Sequence, residues 1–198
     1  MKLVKYAFLL ILIAACSNAE KAVELPEVPF VVVLGTAQDA GYPQAGCEAS
    51  CCLRVYENKE HGRMVSCIAV VDPISNEKWI FDATPDFPDQ LRLLNSFSST
   101  KDLPNGIFLT HAHIGHYTGL IHLGREVMGT NQVPVYAAPK MARYLATNGP
   151  WSQLLTLKNN YLNVQHPNVS LQLNHRIRLK PVQVPHPDEY YETERYKN

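Results

Sequence analysis

The sequence predicts an α/β fold, and three observations carry that prediction. Short runs rich in apolar residues recur along the chain, at residues 30–34, 67–72, 78–82, 106–110 and 133–137, the first continuous and β-branched. Segments with helical spacing or helix punctuation lie among them, beginning at Pro88 and at Pro139. The third observation is Thr110-His111-Ala112-His113-Ile114-Gly115-His116-Tyr117, which places three of the eight histidines within six positions. A strand precedes this stretch. Leu120, Ile121, Leu123, Val127 and Met128 follow it at spacing that predicts a helix.

A chain of 198 residues, 46% hydrophobic and 18% charged, suits one globular domain. Its formal charge of zero gives no basic footprint, which argues against a nucleic-acid partner. No internal repeat or low-complexity tract is present.

The first residues read as a targeting segment. Lys2 and Lys5 precede an apolar run at residues 6–15 that is too short to span a bilayer comfortably. The run ends in Ile13-Ala14-Ala15-Cys16, which resembles a bacterial lipobox. Residues 1–15 are then a signal peptide, Cys16 is the lipidation site, and residues 16–29 are a polar, proline-bearing tether. The mature chain would carry a net charge of −2, having lost Lys2 and Lys5. The expected location is the cell envelope, anchored to a membrane by lipid. Ser17 after the cysteine favours the outer membrane by resemblance to bacterial sorting rules. The competing reading is an ordinary secretory signal cut near Ala15 or Ala19.

The domain runs from residue 30 to residue 198. Its first strand feeds the loop Gly35-Thr36-Ala37-Gln38-Asp39-Ala40-Gly41-Tyr42-Pro43-Gln44, then Cys47, Cys51 and Cys52. Three states of that cluster compete: a structural zinc with a further ligand, a disulfide, or unpaired thiols. Adjacent cysteines point apart in most backbones, so a zinc would take Cys47 with one or both of Cys51 and Cys52. Cys67 lies in an apolar run and reads as a core thiol. Residues 73–77 form a turn between two strands. Asp82 ends the second of these strands, and Asp86 is placed to cap the helix that begins at Pro88.

In an extended segment, residues two apart point the same way, so His111 and His113 can share one ion. His116 is expected to face the same cavity. His122 follows it by six residues, about 240° around a helix, and is no co-ligand. Downstream come a strand at 133–137, a helix at 139–148 closed by Gly149-Pro150, and a short helix at 151–157. Residues 164–173 and 177–184 read as paired strands turning near Asn174-His175. His186 lies just past the last strand, while His61, His166 and His175 sit in polar surroundings and read as solvated.

The histidine stretch resembles the HxHxDH motif of the metallo-β-lactamase superfamily, with Gly115 where that family has Asp. The GTAQDAGYPQ loop and the cysteines after it narrow the resemblance to the coenzyme PQQ synthesis protein B branch. The cluster here reads CxxxCC rather than that branch's CxCxxC. The resemblance implies a four-layer αββα sandwich. It covers residues 30–196 but only the first portion of the family fold, so the domain is expected to be incomplete. It makes Asp82 an acceptor that shapes the histidine loop, and His186 the third ligand beside His111 and His113. His116 is left as a weak second-site ligand or a polar wall. One zinc ion is expected at the histidine loop, since Gly115 supplies no carboxylate, and a structural zinc is the family's use of the cysteines. The implied activity is hydrolysis of a small-molecule ester, amide or phosphoester by activated water. Two alternatives stand beside it. One is an iron- or zinc-dependent oxidative role in cofactor maturation, as in PQQ biosynthesis. The other is a non-catalytic binding protein on the membrane surface.

Overall fold

Alternation in Phe-Val-Val-Val-Leu-Gly sets the first strand of a computed structural model that describes residues 25–185. In β1 (Phe30–Gly35), Val32 and Leu34 face inward while Val31 and Val33 stay exposed. β2 (Cys67–Asp72) and β3 (Glu77–Phe81) form a hairpin, and β4 (Gly106–Phe108), β5 (Val133–Ala137) and β6 (Asn160–Val164) complete a six-stranded sheet in sequential order. The β1/β2 and β2/β3 pairs are antiparallel, and β3 to β6 run parallel. β1, β3 and β4 therefore point the same way, and the loops leaving them emerge at one edge of the sheet.

Helices α2 (Phe87–Leu94), α3 (Pro139–Thr147) and α4 (Trp151–Thr156) cover one face. Phe87, Leu94, Met141, Leu145, Trp151 and Leu154 pack there against Ile80, Ile107 and Val135. Each fully buried aliphatic side chain of this kind is worth about 1.5–3 kcal/mol. On the other face Phe81, Phe108 and Tyr136 stack at centroid distances of 5.1 and 4.3 Å. This mixed α/β architecture agrees with the expected fold class.

Differences from the sequence expectation have local causes. No α-helix follows His116. The chain instead makes 3₁₀ turns at Ile114–His116 and Thr118–Leu123. An α-helix would need the Gly119 N–H to bond the Gly115 carbonyl, but Gly119 N donates to Ala83 O at 2.8 Å. Leu120 and Leu123, three apart, are buried, whereas Ile121 and Val127 are exposed. The expected long strands near the end are also shorter. β6 lies before the predicted start and ends at Val164, while β7 (Leu171–Gln172) and β8 (Arg178–Leu179) form only a small ribbon. The Asn160-Tyr161-Leu162-Asn163 stretch hides β6, because an edge strand with polar residues shows no clean alternation. The turn at Asn174 stands: its side-chain oxygen accepts from the N–H groups of Arg176 and Ile177 at 2.9 Å.

Asp86 occupies the N-cap position of α2 without a side-chain cap bond. Its carboxylate accepts from Val65 N at 2.7 Å and so ties the approach to β2 instead. At the other end of the sheet, the fully buried Asp72 accepts from Asn174 and Arg176, which fastens the β7–β8 ribbon to the β2–β3 turn.

Candidate metal centre

The site grows from the sheet edge where the loops after β1, β3 and β4 converge. Loops at the carboxyl ends of strands are where open α/β sheets place ligands. The β3 exit contributes Asp82, the β4 exit contributes Thr110 to His116, and the β1 exit contributes Asp39.

Asp82 organises the histidine loop. It is 5% exposed and adopts φ +73°, a left-handed conformation that non-glycine residues take at a cost of about 1–3 kcal/mol. Thr110 N donates to its Oδ1 at 2.8 Å, Thr110 Oγ1 donates at 2.9 Å, and His116 Nδ1 donates to Oδ2 at 2.7 Å. Backbone bonds fasten the same contact: Asp82 N to Phe108 O, Ala83 N to His116 O and Gly119 N to Ala83 O. A Cβ on Gly119 would lie 2.2 Å from Thr84 O, so only glycine permits this approach.

These bonds fix the tautomer of His111 and the ring orientation of His116. The Thr110 hydroxyl gives its proton to Asp82, so at 2.9 Å it accepts one from His111 Nδ1. The lone pair of His111 is then on Nε2, which faces His113 Nδ1 at 3.0 Å. His116 likewise spends its Nδ1 proton on Asp82 and turns Nε2 inward. A carboxylate behind the far nitrogen of an imidazole is the arrangement that orients histidine toward a metal.

Asp39 closes the cavity from the opposite loop. Its Oδ1 is 2.9 Å from His116 Nε2 and its Oδ2 is 3.5 Å from His113 Nδ1. The ligand atoms of Asp39, His111 and His113 all lie within 4.8 Å of one another. Burial works against the Asp39 carboxylate, but the hydrogen bond from His116 and the charges of His116, His113 and His111 outweigh it. Its pKa is held below the ordinary value. Burial likewise pulls the His116 imidazole down, and the bonds and charges of Asp82 and then Asp39 outweigh it, holding its pKa above the ordinary value. A cavity of this kind, with two carboxylates around convergent imidazoles, favours a cation. Asp39 was not singled out from the sequence. Its signal was the coincidence of an aspartate in the first glycine-bearing loop with a glycine inside the histidine stretch.

The cysteines form a second group. Cys51 and Cys52 open α1 (Ser50–Glu57), and the Sγ atoms of Cys47, Cys51 and Cys52 lie within 4.8 Å of one another. Of the two arrangements the sequence left open, both Cys51 and Cys52 lie beside Cys47. On a helix, neighbours are about 100° apart and their Cβ atoms lean toward the N-terminus, where Cys47 sits. All three are free thiols here. Hydrogen bonds from Cys52 and the Ala49 backbone hold the Cys47 thiol below its usual pKa. Cys67 is buried beneath Asp82, and burial followed by the Asp82 charge pushes its thiol up.

His122 is apart from the cavity and stacks on Phe87 at 6.2 Å. His61, His166 and His175 are exposed, as expected. Asp86 lines a cleft of about 670 Å³ with Tyr42, Tyr56 and Arg63, and no described histidine lines it. Cys16 and His186 lie outside the described residues. No described helix is long and apolar enough to cross a membrane.

The chain is 28% identical over 158 residues to coenzyme PQQ synthesis protein B of Acinetobacter baylyi, covering 76% of this chain and 49% of that protein. The zinc-bound PqqB structure from Methylobacterium extorquens superposes with a TM-score of 0.60 at 22% identity, over 74% of this chain and 48% of that one. A diphosphatase of the PhnP family superposes with a TM-score of 0.53 at 22% identity, over 73% of this chain and 53% of that one. The chain thus spans about half the length of the curated relative it matches. Residues 78–197, more than half of the sequence, match the Beta-lactamase superfamily domain, and the chain belongs to that family.

Proposed function

We propose that this chain is a zinc-dependent hydrolase, held at a membrane surface in the cell envelope through a lipidated Cys16. The observation that carries the catalytic part is the orientation set by Asp82 and Thr110, which turns the His111 Nε2 lone pair into the cavity that His113 Nδ1 shares and braces His116 beside it. Imidazole nitrogens with a carboxylate behind them fit zinc, and the same donors accept iron. His111 and His113 would hold the ion, with His186 a further ligand from outside the described residues. Bound zinc supplies a Lewis acid that activates water and polarises an ester, amide or phosphoester bond. Asp82 keeps the histidine loop in its one productive shape, and Thr110 relays that constraint to His111. The cysteine cluster would hold a structural ion. The proposed substrate is a small molecule, since a formal charge of zero gives no argument for nucleic acid.

The relatives named for PQQ synthesis favour a second reading, an iron- or zinc-dependent oxidative step in cofactor maturation. Metal analysis with a panel of esters, amides and phosphoesters separates the two. Zinc with turnover on the panel supports the hydrolase. Iron with oxygen consumption and no hydrolysis replaces it with the oxidative reading. A protein without metal at the histidines refutes both. For the anchor, cells expressing Cys16→Ala are fractionated: the variant should leave the membrane pellet, and retention there refutes lipidation at Cys16.

A further inference from the structure

Gly115 is where the histidine loop meets the loop after β1. A Cβ built on it would lie 2.8 Å from Asp39 Cβ, and 2.9 Å from both the Cα and the carbonyl oxygen of Asp39. No real side chain tolerates that approach to backbone, so a glycine at this position is what lets Asp39 in. The loop does not need the Asp39 carboxylate for its own turn, because Gly41 N closes it on Gln38 O at 2.8 Å. The carboxylate instead points among imidazoles, with one oxygen toward His113 Nδ1 and the other toward His116 Nε2.

We propose that Asp39 is a metal-ligating residue of the histidine site, completing with His111 and His113 a three-ligand set for one divalent transition ion, with Gly115 as the seat that admits it. The inference rests on the reading of the histidine loop as a metal site. Two imidazole nitrogens and one carboxylate oxygen form a recognised open zinc set, which leaves a coordination position for water or substrate. The ligand atoms are already gathered within 4.8 Å by the β1 and β4 exits at one sheet edge. His116 braces the set: Asp82 holds its Nδ1, and its Nε2 abuts the second oxygen of Asp39. Asp39 thus supplies from the first loop the carboxylate that the histidine stretch itself lacks.

The geometry makes the two positions interchangeable as sources of that carboxylate, since their Cβ atoms would start less than 3 Å apart. The test is zinc affinity and cobalt(II) spectroscopy on the full chain. Thiolate-to-cobalt charge transfer marks the cysteine cluster and is absent from a nitrogen–oxygen site, so the two sites are read separately. Asp39→Ala should weaken the histidine site by more than about 100-fold, beyond the 10–100-fold that loss of an outer partner costs. Gly115→Ala should weaken it as well, by displacing Asp39. The exchange of Asp39→Gly with Gly115→Asp should bring affinity back to within about tenfold of the parent. Melting curves check the fold of each variant, and the near-isosteric Asp39→Asn carries the test if Asp39→Ala unfolds. If Asp39→Ala and Asp39→Asn bind within about threefold of the parent while His111→Ala loses the ion, the Asp39 assignment falls and the metal site stands. A parent protein with no ion at the histidines overturns both.

Discussion

Replacing Asp82 tests the centre of the site without any metal. The side chain is buried and takes three protein donors, from Thr110 N, Thr110 Oγ1 and His116 Nδ1. Asp82→Ala orphans the Thr110 amide and frees the His116 ring. A donor left buried and unpaired costs about 1–3 kcal/mol, and removing one partner of a buried ionic contact costs about 3–5 kcal/mol. The left-handed φ of +73° is already borne by the parent residue, so it adds little to the difference. The expected loss is about 3–5 kcal/mol once overlap among these contributions is allowed for, a large share of the about 5–15 kcal/mol that holds a domain together. Urea denaturation of chelator-treated protein, followed by far-UV circular dichroism, reads it as a lower midpoint with an unchanged slope. Asp82→Asn should cost less, since its amide oxygen still accepts from Thr110 N. Its NH₂ group, however, turns His116 into the other tautomer, with the proton on Nε2, and zinc affinity should fall about 10–100-fold. A midpoint for Asp82→Ala within about 1 kcal/mol of the parent would refute the view that this carboxylate assembles the loop.

Further outcomes test other parts of the fold. Gly119→Ala should destabilise by about 1–3 kcal/mol, because its Cβ would overlap Thr84 O; wild-type thermal stability would contradict that packing. Arg176→Ala should cost about 1–3 kcal/mol, discounted for the partial exposure of the arginine, and should hasten tryptic cleavage of the β7–β8 ribbon; an unchanged cleavage rate counts against the tie to Asp72. In the native, metal-free protein, Cys51 should react readily with a thiol reagent, while Cys67 should stay unlabelled until urea is added. Labelling of Cys67 at the rate of Cys51 would show that the core beneath Asp82 opens.

Strand content and the histidines were legible in the sequence because both are local signals. The runs at 67–72 and 133–137 are apolar and β-branched, and they appear as β2 and β5 with those boundaries. Pro139 and Gly149-Pro150 punctuate α3 as read. The spacing of His111 and His113 carries its own geometric meaning. Asp82 was legible too, as the last residue of a strand run beside the loop it now ties.

Other features depended on partners distant in sequence. Helical spacing after His116 was misleading, because the Gly119 amide finds Ala83 rather than Gly115, and no local pattern reports that competition. The convergence of Cys51 and Cys52 on Cys47 required the backbone there to be helical, which the short segment does not advertise. Asp39 and His116 are 77 positions apart, yet they lie 2.9 Å from each other. Spacing along a chain fixes only what neighbours can share. Bringing Asp39 to the histidines took parallel exits of β1, β3 and β4 at one sheet edge, together with the space that a missing Cβ leaves at Gly115.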